Sequence, residues 1–288
     1  MACRIWQLAP QTHTQMMGYV LLDDGGELVV IDGGTAGDAA YLMHLLRRVA
    51  GPKPHIRAWF LTHPHSDHVN AFLALWSREG IDFTVDGVYL RFPARQLLER
   101  GEPGCLKVWD AYEAIRPTIG AREHPLREGD RLTFGGMAFQ VLYVTDPTLV
   151  RNASNNSSCV LRLTAAGTSV LFLGDLGAEG GEILLSAHGE EVQSDAVQMA
   201  HHGQSAVHMD VYDAVRPRVC LWCAPRWLWD NDQGHRGYDS GVWDILQVRA
   251  HMARLGVRRH VIAKDGTALI TLADGRIDAV CWDPYAAL

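Results

Sequence analysis

Continuous apolar runs and helically spaced apolar positions alternate along the N-terminal part of the chain. The runs GYVLL (18–22) and ELVVIDGG (27–34), separated by two aspartates and two glycines, predict a β-hairpin. Residues 38–52 space their apolar side chains as a helix does and end in Gly-Pro, a helix stop. The run IRAWFLTH (56–63) predicts a buried strand, and the helix predicted after it ends at Gly80.

The rest of the chain repeats this order of strands and helices. Residues 94–120 have helical spacing and could form a flap, and HVIAKDGTALITL (260–272) predicts a final hairpin. Further strands are predicted in RLTFGGMAFQVLYV, SCVLRLTAAGTSVLFLGD, AVQMAHHG and RVCLWCAP, and further helices in GGEILLSAHGEE and GVWDILQVRAHMARLG. The pattern predicts an α/β protein, a four-layer αβ/βα sandwich in which two mixed sheets pack face to face with helices outside. We expect a single domain over residues 1–288.

The composition limits what the protein can bind. The 288 residues include 26 basic and 33 acidic side chains, for a formal net charge of −7, without a Lys/Arg-rich run. Strong non-specific binding to nucleic acid through bulk charge is therefore not expected. No apolar stretch approaches the roughly 18 residues that cross a bilayer, and the first residues lack the apolar core of a signal peptide. Together with six scattered cysteines, these features predict a cytoplasmic protein without membrane contact.

The densest cluster of candidate metal ligands follows the strand IRAWFLTH. In LTHPHSDHVNAF, three histidines and an aspartate fall within six positions, as His63-x-His65-x-Asp67-His68. A histidine at the end of a strand can direct its imidazole into a cleft, and side chains two, four and five positions later can converge on the same point. The spacing predicts a metal site, and a histidine-rich surface loop is the alternative interpretation.

Three further segments extend this pattern. They are VVIDGG (29–34), FLGD, which ends at Asp175, and MAHHGQ, which contains His201 and His202. With HxHxDH, they make the chain resemble the metallo-β-lactamase superfamily. The resemblance is greatest to the branch similar to the hydrolase domain of the competence protein ComEC, which has an Asn-Ser segment, a Gly-Asp and a His-His-Gly.

The resemblance implies a metal site with assigned ligands. It assigns His63 and His65 to one metal, Asp67, His68 and His201 to a second, and Asp175 to a bridging position. Either adjacent histidine fits the last ligand position, and His202 is expected to support the site more than to ligate. Neutral imidazoles and carboxylates suit Zn²⁺, Mn²⁺ or Fe, and the absence of a nearby cysteine ligand argues against a closed structural zinc site. The expected cofactor is therefore one or two zinc ions, with manganese or iron as alternatives.

One segment departs from the superfamily pattern. The first metal usually has a third histidine ligand between HxHxDH and the bridging aspartate, but residues 145–160 contain no histidine. Asn155, Asn156 or a serine stands in the expected region. The site of His63 and His65 is therefore expected to bind its metal less tightly than the site of Asp67, His68 and His201.

Other candidate residues are weaker. His235, in NDQGHRGYD, is either a catalytic residue or an ordinary loop histidine. Asp32 is expected to be a supporting carboxylate that ties down the ligand loops. Cys220 and Cys223 lie in an apolar strand, where a spacing of three turns their side chains to opposite faces. The loop PRWLWDNDQGHRGYD could bind a base, a sugar or an anionic group, or its tryptophans could simply pack.

These observations predict a metal-dependent hydrolase that uses a metal-activated hydroxide, with Asp67 beside it. The ComEC-like resemblance favours a phosphoester, most of all a phosphodiester, in a small molecule or a short oligonucleotide. Two alternatives remain, namely hydrolysis of a lactone, thioester or β-lactam, and a non-catalytic metal-binding protein. Fold alone does not choose among them.

Overall fold

A computed structural model describes residues 2–78 and 82–283 of the chain. The strands of the described residues are β1 Ala2–Gln7, β2 Gly18–Asp23, β3 Leu28–Asp32, β4 His55–Leu61, β5 Thr84–Leu90, β6 Glu123–Pro125, β7 Arg131–Phe134, β8 Met137–Tyr143, β9 Val160–Ala165, β10 Thr168–Phe172, β11 Ala196–Gln198, β12 Val219–Trp222, β13 Arg259–Ile262, β14 Ala268–Ala273 and β15 Arg276–Cys281. The α-helices are α1 Ala39–Ala50, α2 Ser66–Trp76, α3 Arg95–Gly101, α4 Leu106–Ile119, α5 Ala178–His188, α6 Met209–Val215, α7 Arg226–Trp229 and α8 Ile245–Arg254. The helix after the histidine motif thus ends at Trp76. Gly80, its predicted end, lies outside the described residues.

The strands form two mixed sheets. One has eight strands in the order β15-β14-β1-β2-β3-β4-β5-β6, and the other has seven in the order β13-β12-β11-β10-β9-β8-β7. In the first sheet, pairing is antiparallel from β15 to β3 and parallel from β3 to β6. In the second sheet, pairing is antiparallel from β7 to β10 and parallel from β10 to β13. The repeated order of elements thus corresponds to two mixed sheets, β1 to β6 in one and β7 to β13 in the other, but the last two strands, β14 and β15, return to the first sheet.

Three apolar layers separate the sheets and the helices. Between the sheets, Tyr19 packs against Phe172 and Phe60 against Phe139, with ring centroids 5.1 and 5.0 Å apart. A second layer packs α1, α2 and α4 on the outer face of the eight-stranded sheet, and a third packs α5, α6 and α8 on the seven-stranded sheet. Burial of one apolar stripe of each helix against a sheet produces the predicted four-layer sandwich.

The described helices are short compared with the length needed to cross a bilayer. The longest of them, α4, has 14 residues. In residues 2–78 and 82–283, none combines the length and the apolar character that crossing a bilayer requires.

Cys220 in β12 and Cys223 just after it face different layers of the sandwich. Cys220 packs in the layer between the seven-stranded sheet and its helices, whereas Cys223 packs between the two sheets. The Cys223 sulfur lies 3.1 Å from the Tyr19 hydroxyl. The two sulfurs therefore lie on opposite faces, as the spacing predicts.

The predicted final hairpin is wrong. β13 pairs with β12 in the seven-stranded sheet, and β14 pairs with β1 and β15 in the eight-stranded sheet. Between them, Gly266 has a φ of 112° and lets the chain cross from one sheet to the other. The hairpin in this region joins β14 to β15 through Asp274-Gly275, whose φ angles of 48° and 73° suit a tight turn.

The carboxyl ends of parallel strands bring the motif residues together. β4, which is parallel to β3, is followed by Thr62 and His63. β10 leads into Gly174-Asp175, and its parallel neighbour β11 leads into the His201-His202 turn. Side chains from both sheets therefore meet at one end of the sandwich, the position at which α/β folds place their ligands.

Candidate metal centre

The histidine motif turns from β4 into α2. His63 is fully buried just beyond the strand, and His65 is the N-cap residue of α2, with an extended backbone (φ −100°, ψ 151°). Asp67 and His68 occupy the first turn of the helix, where the helix dipole favours a carboxylate. The Met17 N–H donates to the Asp67 carbonyl at 3.0 Å and fixes this turn against the loop before β2.

Asp32 orients two of the motif histidines. It is buried at the end of β3, where its Oδ1 accepts the Thr62 N–H at 2.8 Å. Its Oδ2 accepts the Thr62 hydroxyl and the His68 Nδ1–H, each at 2.7 Å. Because the Thr62 hydroxyl proton points at Asp32, Thr62 Oγ1 accepts from His63 Nδ1, at 3.1 Å. Asp32 therefore supports the ligand loops as predicted, and directs Nε2 of both imidazoles into the site.

Two groups of possible metal ligands share this site. In each group, one ligand atom per residue lies within 4.8 Å of the others, and the groups are His63, His65 and Asp175, and Asp67, His68 and His202. In the first group, His63 Nε2 lies 3.0 Å from His65 Nδ1 and 3.8 Å from Asp175 Oδ2.

Asp175 lies between the two groups. Its Oδ2 is 3.2 Å from His68 Nε2 and 3.4 Å from His202 Nε2. His202 Nε2 is in turn 3.2 Å from Asp67 Oδ2. One carboxylate thus contacts imidazoles of both groups, which is the arrangement of a bridging ligand.

Several of these atoms lack a hydrogen-bond partner although they are buried. They are His68 Nε2, His202 Nε2 and Asp175 Oδ1. Their close approach without hydrogen-bonding geometry would be costly unless another group satisfied them. A divalent cation takes such nitrogen and oxygen atoms, so the residues present fit a metal.

The structure places His202, rather than His201, in the second group. Both residues have left-handed backbones, with φ angles of 49° and 58°, which non-glycine residues rarely adopt. His201 Nδ1 donates to the Ser205 carbonyl at 2.8 Å, whereas His202 Nδ1 donates to the Cys223 carbonyl at 3.1 Å and leaves Nε2 facing Asp67. In this geometry His202, and not the expected His201, joins the second group, and which of the two binds the metal stays a prediction.

Burial and neighbouring charges shift the pKa values of these side chains in opposite directions. Burial would raise the pKa of Asp67, but contact with His202 and the charge of His68 lower it to about 2. Burial would lower the pKa of His202, but Asp175 and Asp67 raise it to about 9. Burial likewise opposes protonation of His68, yet Asp175 and Asp32 raise its pKa well above the usual value. In the absence of a metal, protonated imidazoles balance the buried carboxylates.

Metal binding is expected to release protons at neutral pH. With a pKa of about 9, His202 is protonated there, and an ion that takes its Nε2 must displace the proton. The heat of zinc binding should thus vary with the ionisation enthalpy of the buffer. The slope of that dependence gives the number of protons released per ion, which should be at least about one. Calorimetry in two buffers at one pH measures this. Equal heats in both buffers would contradict it.

A third group was not predicted from the sequence. His65 Nε2 lies 3.1 Å from Glu102 Oε1 and 3.0 Å from Cys105 Sγ, and the three residues form another set of possible ligands. The expectation that no cysteine lies near the motif is therefore wrong. Glu102 and Cys105 lie inside residues 94–120, which were predicted to be one helical segment, and their spacing from the histidines matches no metal motif.

His235 lies in neither ligand group of the described residues. It is exposed, has a left-handed backbone (φ 61°), and lines a cavity of about 460 Å³ with Arg226 and Trp227. Pro225 also lines this cavity, two residues after Cys223, which holds His202. The loop is thus adjacent to the ligand cluster along the chain.

Comparisons with known proteins agree with this fold and site. A profile of the metallo-beta-lactamase superfamily matches residues 19–218. The competence protein ComA of Neisseria gonorrhoeae is 34% identical over 93 residues, which are 32% of this chain and 13% of ComA. The uncharacterized protein YcaI of Escherichia coli K12 is 24% identical over 128 residues, which are 44% of this chain and 17% of YcaI. The metallo-beta-lactamase fold protein YhfI of Bacillus subtilis has a TM-score of 0.54 at 14% identity, over 92% of this chain and 98% of YhfI.

The chain belongs to the metallo-beta-lactamase superfamily, because the matched segment contains the HxHxDH motif, Asp175 and both adjacent histidines. The similarity to ComA agrees with the predicted ComEC-like branch. The aligned segments span less than a fifth of each of these two longer relatives. The superfamily is one of metal-dependent hydrolases, and the His/Asp cluster described above could hold the metal.

Proposed function

We propose that the protein is a metal-dependent phosphodiesterase that acts on a small molecule or a short oligonucleotide in the cytoplasm. Two observations carry the proposal. Buried His68 Nε2, His202 Nε2 and Asp175 Oδ1 have no hydrogen-bond partner, and Asp175 Oδ2 lies within 3.8 Å of imidazole nitrogens from both ligand groups. A pair of sites that shares one carboxylate suits a displacement at phosphorus, where the attacking and the leaving oxygen both need stabilisation.

The donor set favours zinc, with manganese or iron as alternatives. Neutral imidazoles and carboxylates would hold one ion through His63, His65 and Asp175, and another through Asp67, His68 and His202. When bound, such ions supply a water acidified enough to attack at neutral pH. The protein's contribution is to hold the imidazoles through Asp32 and the Cys223 carbonyl.

Asp67 is the proposed proton acceptor. Its pKa, which burial alone would raise, is lowered to about 2 by His202 and His68, so it is a carboxylate at neutral pH. Its side chain is 13% exposed, whereas those of His202 and Asp175 are at most 1% exposed. Of these three groups, Asp67 is therefore the one that water or substrate can reach, and it can accept the proton of the attacking water.

The neighbouring cavity supports a small anionic substrate. Arg226, Lys264, Trp227 and His235 line it, together with the carboxylates of Asp230 and Asp232, so the two cations share the cavity with two acidic groups. Cationic and aromatic side chains suit a phosphate next to a base or sugar. The net charge of −7 works against a long nucleic acid, whose binding relies on many basic contacts. We propose that His235 contacts the substrate in this cavity.

A panel of substrates tests the proposed reaction. Metal-free protein reconstituted with Zn²⁺ or Mn²⁺ is assayed on bis-p-nitrophenyl phosphate, a lactone, a thioester and nitrocefin. We expect turnover of the phosphodiester and loss of that turnover after chelation. Turnover confined to the carbonyl substrates would replace the phosphodiesterase assignment with an acyl hydrolase. Turnover of none would favour a metal-binding protein without catalysis.

The two metal sites should differ in affinity. The second group combines three ligands with the shared Asp175, whereas the first combines only His63 and His65 with Asp175 and lacks a third histidine. Stepwise chelation of zinc-loaded protein should therefore remove metal in two stages, with the first group emptied earlier. Metal content at each chelator concentration measures this. One cooperative loss of both ions would contradict the ranking.

A further inference from the structure

A short break between two helices brings an acidic residue against a motif histidine. Glu102 follows α3, and Cys105 precedes α4. Glu102 Oε1 and Cys105 Sγ lie 3.1 and 3.0 Å from the same atom, His65 Nε2. The helical segment 95–119 therefore contacts the first ligand group through one imidazole nitrogen.

The two nitrogens of His65 face different partners. Nδ1 lies 3.0 Å from His63 Nε2, on the side of the first ligand group. An imidazole that ligates a metal through Nδ1 is neutral and has its proton on Nε2. That proton needs an acceptor, and the Glu102 carboxylate occupies the required place.

The other histidines of the site already have such partners. His68 donates to Asp32, His63 to Thr62 Oγ1, and His202 to the Cys223 carbonyl. His65 completes the set only if Glu102 accepts from it. Asp32 holds His68 directly and holds His63 through the Thr62 hydroxyl. Glu102 would fix the orientation of His65 in the same way.

Packing fixes Glu102 in this position. Its Oε2 accepts the Ser154 N–H at 3.0 Å, within the segment that lacks the third histidine. A side-chain carbon on the preceding Gly101 would lie 1.8 Å from the Val150 carbonyl oxygen, so only glycine permits this approach. Buried Leu97, Leu98, Cys105 and Ala153 form a small apolar cluster beneath the contact.

We propose that Glu102 is a positioning residue that holds His65 with its proton on Nε2, so that Nδ1 faces the first metal. The contact strengthens a site that lacks its third histidine. The inference rests on the proposed metal binding. A separate ion bound by His65 Nε2, Glu102 and Cys105 is the competing arrangement. It is disfavoured because an imidazole that serves two ions must lose both ring protons.

Metal affinity and the tautomer of His65 test this proposal. Glu102→Ala should weaken zinc binding at the weaker site by about 10- to 100-fold, the usual effect of removing a ligand's carboxylate partner, and leave the tighter site unchanged. Glu102→Gln keeps an acceptor oxygen and should recover part of the loss. Nitrogen-15 NMR of the zinc-loaded wild type should show His65 with its proton on Nε2, and Glu102→Ala should weaken that signature.

Matched variants separate a local effect from general damage. Glu99→Ala removes an exposed carboxylate of the same helical segment, paired with Arg95, and should leave both zinc affinities unchanged. Cys105→Ser should also keep near wild-type affinity. Wild-type affinity in Glu102→Ala, or a sulfur-to-metal charge-transfer band in the cobalt protein that Cys105→Ser abolishes, would overturn the proposal. A wild type that binds no metal would overturn the proposed function as well, whereas an unaffected Glu102→Ala beside a metal-binding wild type overturns this inference alone.

Discussion

Asp175→Asn is expected to remove most of the bound metal. Asp175 Oδ2 lies 3.2, 3.4 and 3.8 Å from nitrogens of His68, His202 and His63, so one substitution weakens both sites. An amide of the same shape has no charge, and it places a nitrogen where one oxygen ligand would stand. The buried imidazoles would then lose the carboxylate that balances them. Elemental analysis of dialysed protein should therefore show far less metal per chain than in the wild type.

Asp195→Asn is the matched control for this change. Asp195 precedes β11 in the same sheet, and its carboxylate accepts from Ser169 and pairs with Arg218. Its loss should affect stability while metal content stays at the wild-type level. If Asp175→Asn retains the wild-type metal content, the bridging role of Asp175 is wrong.

Asp67→Ala is expected to reduce kcat on an activated phosphodiester by at least about 10²-fold, the lower range for a general acid–base group. Asp67 contributes both a ligand oxygen, 3.2 Å from His202 Nε2, and the more accessible carboxylate of the site. Because His202 and His68 lower its pKa to about 2 against the effect of burial, it is ionised throughout the neutral range and can accept a hydrogen bond from water. Steady-state kinetics at saturating metal separates the loss of chemistry from the loss of metal.

Asp210→Ala provides the matched comparison. Asp210 also lies in the first turn of a helix, α6, so its removal costs the same interaction with a helix dipole. This variant should keep the wild-type kcat. An Asp67→Ala enzyme within a few-fold of the wild type would show that Asp67 has no part in proton transfer.

Much of the fold, and the first four candidate ligands, could be predicted from short stretches of the sequence. The HxHxDH spacing places four ligand types around one strand end and one helix start, and the alternation of strands and helices is readable from apolar periodicity. Asp32 lies in VVIDGG, one of the segments that carry the resemblance, and was expected from there to be a supporting carboxylate. Asp175 and the adjacent histidines lie far from the motif along the chain, and only the resemblance to the superfamily connected them to it.

The errors arise where distant segments decide the outcome. β13 and β14 are close in sequence and were expected to pair, but each finds its partner in a different sheet. The sequence also does not show which of the adjacent His201 and His202 joins the second group, because the Cys223 carbonyl that holds His202 comes from the end of another strand.

Glu102 and Cys105 illustrate the same limit. They reach His65 from 37 and 40 residues away, through packing that no motif records. The sequence signal that could have directed attention to them is the break Gly-Glu-Pro-Gly-Cys between two helical stretches.

The most direct test of the metal centre is anomalous scattering at the zinc edge from crystals grown with zinc. We expect a peak at about 2.0–2.2 Å from His68 Nε2, His202 Nε2 and an Asp67 oxygen, and a weaker peak near His63 Nε2 and His65 Nδ1 at higher zinc concentration. Absence of a peak from both groups, or a peak confined to the Cys105 side of His65, would contradict it.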